Sequence, residues 1–516
     1  MITQIYCTLA VIIFSFFRFR VLMLFFQQQE YRGKWFLSLI FKNFKLVDKK
    51  IAFLILLIWA FSLLNTIAIY FIAPIFIIFA FLENKLLKKA KKSLNITSRV
   101  KRIFFISMLL VTGIAIALSF WSWFGMSFIT IELLPIILII SNILLMPVEN
   151  KIQKKYLKEA EEVLEKLKPI TIGITGSYGK TSTKHILAHI LSSNLPVLWT
   201  PGSVNTEMGV CRIIREKLQE QHKYFIVEMG AYFRGSIKKL CDFVNPKHGI
   251  ITAVGDAHYE YFKSQKTVAE TKFELGQCVE KNKGILVINI DQIDSEFIPQ
   301  KMSLIEVGKN QNIYVSDVKQ TREGLYLNYN KNNESTLIFA PIFGEHHAQN
   351  IGLAITMALE LGMAMSTIVV SLKTLPQINH RLEVKQAAGG ITIIDDAYNS
   401  NPVGFKSAIN LLGTLKTTRT ILITPGMVEL GKKHDKKHFE IGKYAGENVD
   451  IIIAVNPKRI PTFVKGVKKA LKKGNKLIEL ETFSDATKWM NKNIQNEDVI
   501  LLENDLPDVY ESHFFL

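Results

Sequence analysis

The sequence predicts an α/β protein preceded by a helical transmembrane region. Three observations carry that reading. Apolar runs crowd residues 1–147, a strand–glycine–helix phosphate loop follows at 169–191, and β-branched strand segments alternate with helical stretches from there on.

The chain has 516 residues, is 49% hydrophobic and carries a net charge of +18, with a mean hydropathy of +0.20. So positive a charge points to nucleic acid or to a membrane surface. Its placement selects the membrane, because many of the lysines and arginines lie in short stretches between apolar runs. The region 150–516 shows no aromatic–basic interleaving, so no nucleic-acid partner is expected. Cys7, Cys211, Cys241 and Cys278 are widely spaced, with no CxxC and no Cys/His cluster. That argues against zinc or a disulfide framework and for free thiols in a reducing compartment.

Apolar runs cover Thr8–Phe26, Ile51–Leu82 and Ile103–Met146. One span needs about 20 residues, so the second and third runs, at roughly 32 and 44, read as helical hairpins. Their turns are expected near Asn65-Thr66 and Gly125; the second run is short for two full spans and could be one tilted helix or a re-entrant pair. The flanking loops carry Arg32, Lys34, Lys42, Lys45, Lys49 and Lys50, then Lys85, Lys88, Lys89, Lys91, Lys92, Arg99, Lys101 and Arg102, then Lys151, Lys154 and Lys155. Positive loops stay cytoplasmic, which gives about five spans with an outside N-terminus. Arg18 and Arg20 inside the first run read as snorkelling side chains or as a headgroup or substrate contact. No charged leader precedes that run, so a cleaved signal peptide is not expected. The expected location is the cell membrane, multi-pass, with the catalytic domains cytoplasmic. Residues 151–168 read as an amphipathic, charge-rich linker helix.

In PITIGITGSYGKTSTKHILAHIL (169–191), Ile170–Ile174 forms a strand, Gly176 and Gly179 make a tight turn, and Lys180-Thr181-Ser182 opens a helix. Backbone N–H groups and the helix dipole converge there on phosphate oxygens. Lys180 adds charge at the outer phosphates and the Thr181 hydroxyl reaches Mg²⁺, which predicts ATP binding along Thr175, Gly176, Ser177, Gly179, Lys180, Thr181 and Ser182. A strict phosphate-loop pattern wants glycine at 174, where this chain has Ile174.

The TGSYGKTSTK loop resembles that of the Mur ligases, whose loop also lacks that first glycine, and further segments resemble the D-alanyl-D-alanine-adding branch, MurF. TPGSVNTEMGV (200–210) is similar to that branch's TPGNxNNExG, which implies a substrate role for Asn205 and Thr206. VEMGA resembles its metal-glutamate segment and assigns Glu228 to Mg²⁺. GIITAVGDAHYEYFKS (249–264) resembles TNIxxAHLExFGS and assigns His258 to a second Mg²⁺, with Ala-Val-Gly where the family has Asn-Ile. Lys272, two residues before Glu274, aligns with a lysine carried as a carbamate in many Mur ligases. GEHHAQNIGLAITMALELG (344–362) resembles the adenine-side helix, so His346 and Asn350 fall to the nucleotide; His347 stands where the family has Asn.

INHRLEV (378–384) supplies Arg381, matching an arginine that reaches the ATP phosphates. TIIDDAYNSNPVGFKSAI (392–409) is close to IDDxYNANPxSMxAAL. That implies Asp396 at the nucleotide and Tyr398, Asn399 and Asn401 lining the amine pocket. ILITPGMVELGKKHDKKHFEIG (421–442) resembles GxMxELG…H…IG near the dipeptide site. The implied fold is a central P-loop ATPase α/β domain at 169–376 and a C-terminal Rossmann-like α/β domain at 377–516, behind a transmembrane region at 1–150 and the linker at 151–168. The implied activity is ATP-dependent amide ligation, with Lys180, His258, Lys272 and Arg381 catalytic and Thr181, Glu228, His258 and Lys272 at two Mg²⁺ ions. The partners implied are a cell-wall precursor with a free carboxylate, a D-Ala-D-Ala-like amine, and the bilayer. Two other readings stay open: a ligase of the same chemistry for another envelope polymer, and an ATP-binding membrane scaffold without catalysis.

Overall fold

The computed structural model describes residues 2–42, 77–78, 80–83, 93–120, 130, 133–231, 233–255, 264–398, 400–428 and 430–504. The chain divides into two compact units, Met1–Gln153 with Leu506–Leu516, and Lys154–Asp505.

The first unit is helical, with helices Ile2–Gln28, Gly33–Lys42, Ser98–Phe120 and the start of Leu134–Leu167. Three stretches, Thr8–Gln28, Ser98–Leu118 and Leu134–Leu167, are long and apolar enough to cross a membrane by length and composition. Phe14, Phe19, Phe26, Phe36, Ile103 and Leu138 pack inside, while Phe105, Leu109, Ile143 and Leu144 face outward. The second apolar run and its expected turn lie outside the described residues, apart from 77–78 and 80–83, as does the turn expected near Gly125. The segment 151–168 is not a separate helix. Leu134–Leu167 runs through Pro147 unbroken. Proline removes one backbone donor there, but the Leu-, Glu- and Lys-rich flanks favour helix strongly enough to carry it on. The Arg18 guanidinium donates to Glu83 Oε1 at 2.7 Å in a nearly buried ion pair.

The second unit is α/β. Its strands are β1 (Ile170–Thr175), β2 (Val197–Trp199), β3 (Tyr224–Glu228), β4 (His248–Ile251), β5 (Leu286–Asn289), β6 (Ile305–Val307), β7 (Ile313–Gln320), β8 (Leu325–Lys331), β9 (Glu334–Ala340), β10 (Glu383–Gln386), β11 (Thr392–Asp396), β12 (Thr420–Thr424), β13 (Ile451–Val455), β14 (Lys476–Leu480) and β15 (Val499–Glu503). Among the described residues they form a nine-stranded sheet, β2-β3-β1-β4-β5-β6-β7-β8-β9, and a six-stranded one, β10-β11-β15-β12-β13-β14. The β7–β9 end of the first sheet joins the parallel part through the single pair Val307↔Ile313, beyond which pairing turns antiparallel.

The parallel strands are apolar at successive positions because both faces are covered. In β3, Tyr224 and Ile226 enter one core while Phe225 and Val227 enter the other. Each such side chain contributes roughly 1.5–3 kcal/mol by burial. The second sheet repeats the plan, with Leu422 and Ile452 on one face and Ile421 and Ile453 on the other. Register then sets the chemistry. Ile174 pairs with Glu228 and Thr175 with Ile251, so the loop after β1 opens beside the ends of β3 and β4. In open α/β sheets this carboxyl edge, where the strand order reverses, is the ligand edge.

His438 shows how tightly one turn of the second sheet is built. Its Nδ1–H donates to the His434 carbonyl at 2.8 Å and its Nε2 accepts from Met427 N at 2.9 Å. Burial and the neighbouring His434 push its pKa down to about 4. The unfolded chain therefore takes up the proton first. The stability this neutral ring contributes is present above the unfolded value and lost as pH falls toward 4. The expected loss at pH 5 is about 2 kcal/mol for this residue. Thermal unfolding from pH 7 to pH 5 checks it: the midpoint falls, and falls less in His438→Gln, which keeps an acceptor that does not titrate.

Candidate active site

The loop after β1 has the backbone of a phosphate cradle. Gly176 has φ 155° and Gly179 φ 80°, and Gly179 caps the helix Lys180–Ser192. A side chain fits at neither: a Cβ on Gly176 would meet the Thr252 hydroxyl, and one on Gly179 would lie 2.5 Å from Asn350 Oδ1. The loop is tied to the end of β4. Ser177 N donates to Ala253 O at 2.8 Å, Ser177 Oγ and Gly255 N bond at 2.9 Å, and Thr252 Oγ1 donates to Tyr178 O. Lys180 Nζ folds across the loop onto Gly176 O at 2.7 Å. Thr175 Oγ1 donates to Met229 O at 3.1 Å, and Ser182 is buried.

Glu228 gathers the polar groups around this loop. Its Oε2 accepts from Thr181 Oγ1 at 2.9 Å and from Lys184 Nζ at 3.0 Å, and its Oε1 accepts from Asn205 Nδ2 at 3.2 Å. Its backbone N donates to Thr200 Oγ1 at 3.1 Å. Lys184 and Glu228 form a fully buried ion pair, and Lys184 also donates to Gly202 O. Burial alone would raise the carboxyl's pKa; Lys184 and Lys180 outweigh it and hold it below the usual range. The two lysines are pushed down by burial and partly restored by Glu228. Thr206 is exposed at the start of the helix Glu207–Lys217 and makes no side-chain cap bond.

Lys272 lies on the helix Gln265–Lys281 and is buried. Burial first, then the charge of Lys180, drives its pKa well below the ordinary lysine value. Both causes favour the uncharged, nucleophilic form of the amine over the ammonium. Glu274 is committed elsewhere; its two oxygens accept from Gly235 N at 2.7 Å and Lys238 N at 2.8 Å, closing the start of the helix Ser236–Val244. His258 lies outside the described residues.

The second sheet brings its own residues to this region. Arg381 stacks on the exposed Tyr398 ring, 4.3 Å from its centroid. Its charge lowers the pKa values of Lys180, Lys184, His346 and His347, so it stands close to the loop side. His346 is held neutral, its pKa pushed down to about 4 by burial and Arg381, and its Nδ1 lies 3.2 Å from Ser407 Oγ. Asn350 points inward: its Oδ1 accepts from Thr183 Oγ1 at 3.2 Å and its Nδ2 lies 3.3 Å from His347 Nδ1. Asn350 therefore braces the loop helix. Asp396 ends β11 with Leu382 N on its Oδ1 at 3.3 Å. Asn401 Oδ1 caps the helix Pro402–Thr414, accepting from Val403 N at 3.1 Å and Gly404 N at 3.0 Å, which leaves its amide nitrogen for other work. Asn399 lies outside the described residues.

The geometry thus joins Lys180, Thr181, Glu228, Asn205, Lys272 and Arg381 in one electrostatic neighbourhood and adds two residues the sequence reading passed over. Lys184 was marked by its spacing, four residues after Lys180 and so on the same helix face. Asn289 ends β5 on the ligand edge, nearly buried, and its Oδ1 has no donor among the described residues. Lys180, Lys184 and Arg381 gathered around Glu228 make the loop side positive, suited to a polyphosphate. A hard cation fits there too, with the Thr181 hydroxyl and the Glu228 carboxylate as oxygen donors.

Gly179→Ala is expected to weaken binding of a non-hydrolysable nucleoside triphosphate by at least about tenfold, since both the left-handed backbone and Asn350 oppose a side chain. Gly413→Ala, at a helix position with open space around its Cβ, is the control. It leaves binding unchanged and raises stability by up to about 1 kcal/mol. Titration calorimetry and thermal unfolding read the two effects.

Two family models match in succession: the Mur ligase middle domain over residues 174–358 and the Mur ligase glutamate ligase domain over 380–503. The UDP-N-acetylmuramoyl-tripeptide–D-alanyl-D-alanine ligase of Bacillus subtilis is 29% identical over 284 residues, 55% of this chain and 62% of that protein. The Mycobacterium bovis protein of the same name is 31% identical over 293 residues, 53% of this chain and 56% of that protein. The chain thus spans about six-tenths of the length of the curated relatives it matches. Among solved structures, MurF from Acinetobacter baumannii superposes with a TM-score of 0.61 at 24% identity, covering 70% of this chain and 79% of that one. MurF ligase from Thermotoga maritima in complex with ADP gives 0.60 at 24%, covering 69% and 81%. These two share the fold. With Mur ligase domain models matched in succession over 174–358 and 380–503, the chain belongs to the Mur ligase family.

Proposed function

We propose that this protein is an ATP-dependent amide ligase of MurF type. It activates the terminal carboxylate of a muramoyl tripeptide as an acyl phosphate and joins it to D-Ala-D-Ala, in peptidoglycan precursor synthesis. The observation that carries the reading is the convergence of Lys180, Lys184 and Arg381 on a glycine loop beside Glu228. The names of the relatives at 29–31% identity support the choice of substrates.

The chemical problem is to make a carboxylate electrophilic in water. The ATP γ-phosphoryl group and the substrate carboxylate are both anions, so positive charge must gather where they meet. Lys180 and Arg381 lie against the outer phosphates, and Lys184 holds Glu228 in place. Thr181, Glu228, His258 and a carbamylated Lys272 would hold two Mg²⁺ ions, which neutralise phosphate charge when bound. The carbamate reading rests on the burial of Lys272, which favours its free amine, because CO₂ adds only to the free amine and turns it into an anion. Asn205 and Thr206 face the carboxylate substrate. Tyr398, Asn399 and Asn401 line the amine's pocket. His346, Asn350 and Asp396 belong to the nucleotide side, Asn350 by bracing the loop and Asp396 two residues before Tyr398, where that side borders the amine's pocket.

The apolar helices of the first unit hold the enzyme at a bilayer, with the α/β unit on the cytoplasmic side where the lysines and arginines concentrate. One observation favours a second reading of the acceptor. Both family models begin after the apolar helices, at residue 174 or later. A ligase tied to the bilayer is suited to a lipid-linked or non-muramoyl acceptor as well as to a UDP-linked one.

Phosphate release by the purified full chain tests this. Turnover requiring ATP, UDP-muramoyl-tripeptide and D-Ala-D-Ala together, and falling at least about a hundredfold in Lys180→Ala, is the expected result. Turnover only with a lipid-linked acceptor selects the second reading, and ATP binding without turnover on any acceptor selects a scaffold. Lys272 is checked separately. Stripping CO₂ from the buffer is expected to lower the rate, and bicarbonate to restore it. ¹³C-bicarbonate gives a carbamate resonance that Lys272→Arg lacks.

A further inference from the structure

The Asp396 carboxyl does not stand alone. β11 and β15 are adjacent and parallel, and their register sets Asp396 directly beside Glu503. Both residues end their strands, so both carboxyls sit at the carboxyl edge of the second sheet, where ligands of such sheets bind. Asp396 is 7% exposed and Glu503 is 0%. The donors around them are few. Leu382 N serves Asp396 Oδ1 at 3.3 Å, and Ser400 Oγ serves Glu503 Oε1. Glu503 Oε2 is buried with no hydrogen-bond donor among the described residues. Two ionised carboxylates cannot share so dry a place with an oxygen left bare. A proton on Glu503 removes both difficulties, since the acid O–H can be given to Asp396.

We propose that Glu503 is a positioning residue for amide formation: its un-ionised carboxyl donates to Asp396 and holds that carboxylate ready to take the proton of the incoming amine. This rests on the amide-ligase reading above and deepens it. The charged groups facing the pair are consistent with it. Arg381 from the segment before β10 favours a negative Asp396, and Asp395 on β11, itself bound by His380 at 2.9 Å and Lys385 at 2.9 Å, opposes it. Burial raises both carboxyls, Asp396 to about 6 and Glu503 well above the ordinary range, so of the two Glu503 is the one disposed to keep a proton.

The chemistry needs such an acceptor. An amine arrives as an ammonium and has no lone pair to give. Its N–H bond breaks toward the Asp396 carboxylate, leaving a neutral amine and a protonated Asp396. The nitrogen lone pair then forms the C–N bond at the acyl phosphate. The C–O bond to phosphate breaks, and inorganic phosphate leaves with that electron pair and the second amine proton.

Two measurements on the full chain test this. Infrared spectroscopy in D₂O at pH 7.5 is expected to show the carbonyl stretch of a buried carboxylic acid that disappears in Glu503→Gln. This arm needs no substrate, so it stands even if the ligase reading fails. In phosphate-release assays, Glu503→Ala is expected to lower kcat by about tenfold or more with the KM for ATP little changed. Its acidic limb should also move to higher pH, because Asp396 has lost its donor. Glu503→Gln, whose amide N–H can replace the acid O–H, should recover most of that rate and the parental limb. Absence of the acid band overturns the proposal. So does a glutamine variant as slow as the alanine one, or an acidic limb unmoved by alanine.

Discussion

Two ammonium groups on one helix face, four residues apart and both withdrawn from water, repel each other and the arginine that approaches them. Glu228 is the group that makes this arrangement tenable. It bonds Lys184 directly, holds the Thr181 hydroxyl and the Asn205 amide, and offsets the burial cost of Lys180. Its position is fixed by backbone pairing, because β3 lies beside β1 in parallel register and ends level with the start of the loop. Removing one member of a buried charge pair strands the other, at a cost of about 3–5 kcal/mol. The loop, the Thr181 hydroxyl and the Asn205 amide therefore all depend on one strand end.

Much of this was legible in the sequence because it is local. A strand, two glycines and a Lys-Thr-Ser helix start lie within a dozen residues and leave the backbone little choice. Glu228 and Asp396 could be found because each closes an apolar strand. Glu503 closes a strand too, in VILLE, but nothing in its own segment tells that β15 inserts between β11 and β12. Spacing put Lys184 on the face of Lys180, but not its burial, since a helix lysine is solvated unless a distant strand covers it. The roles of Asn350 and Asn401 shifted likewise. Their types and places match a nucleotide or amine site, whereas their side-chain oxygens brace a helix and cap another.

The helical unit shows the same limit on a larger scale. Hydropathy gave the apolar stretches but could not pair Arg18 with Glu83, separated by 65 residues in sequence. A charge within an apolar helix is costly alone and much less so beside its counterion. The pair gives two otherwise greasy helical segments a fixed register, which interchangeable Phe, Ile and Leu contacts do not supply.

The seam at Val307↔Ile313 bears on how the larger sheet holds together. Hydrogen bonding crosses it at one register pair, so the antiparallel end of the sheet is joined to the parallel part chiefly by side chains. The helix His347–Glu360 supplies them, packing Ile351, Leu353 and Ile355 into the core that also takes Val307, Ile313 and Val315. That same helix carries Asn350 against the phosphate-loop helix. Cooperativity across the sheet thus runs through the element that stiffens the loop, so the distal hairpins and the phosphate cradle melt or persist as one unit.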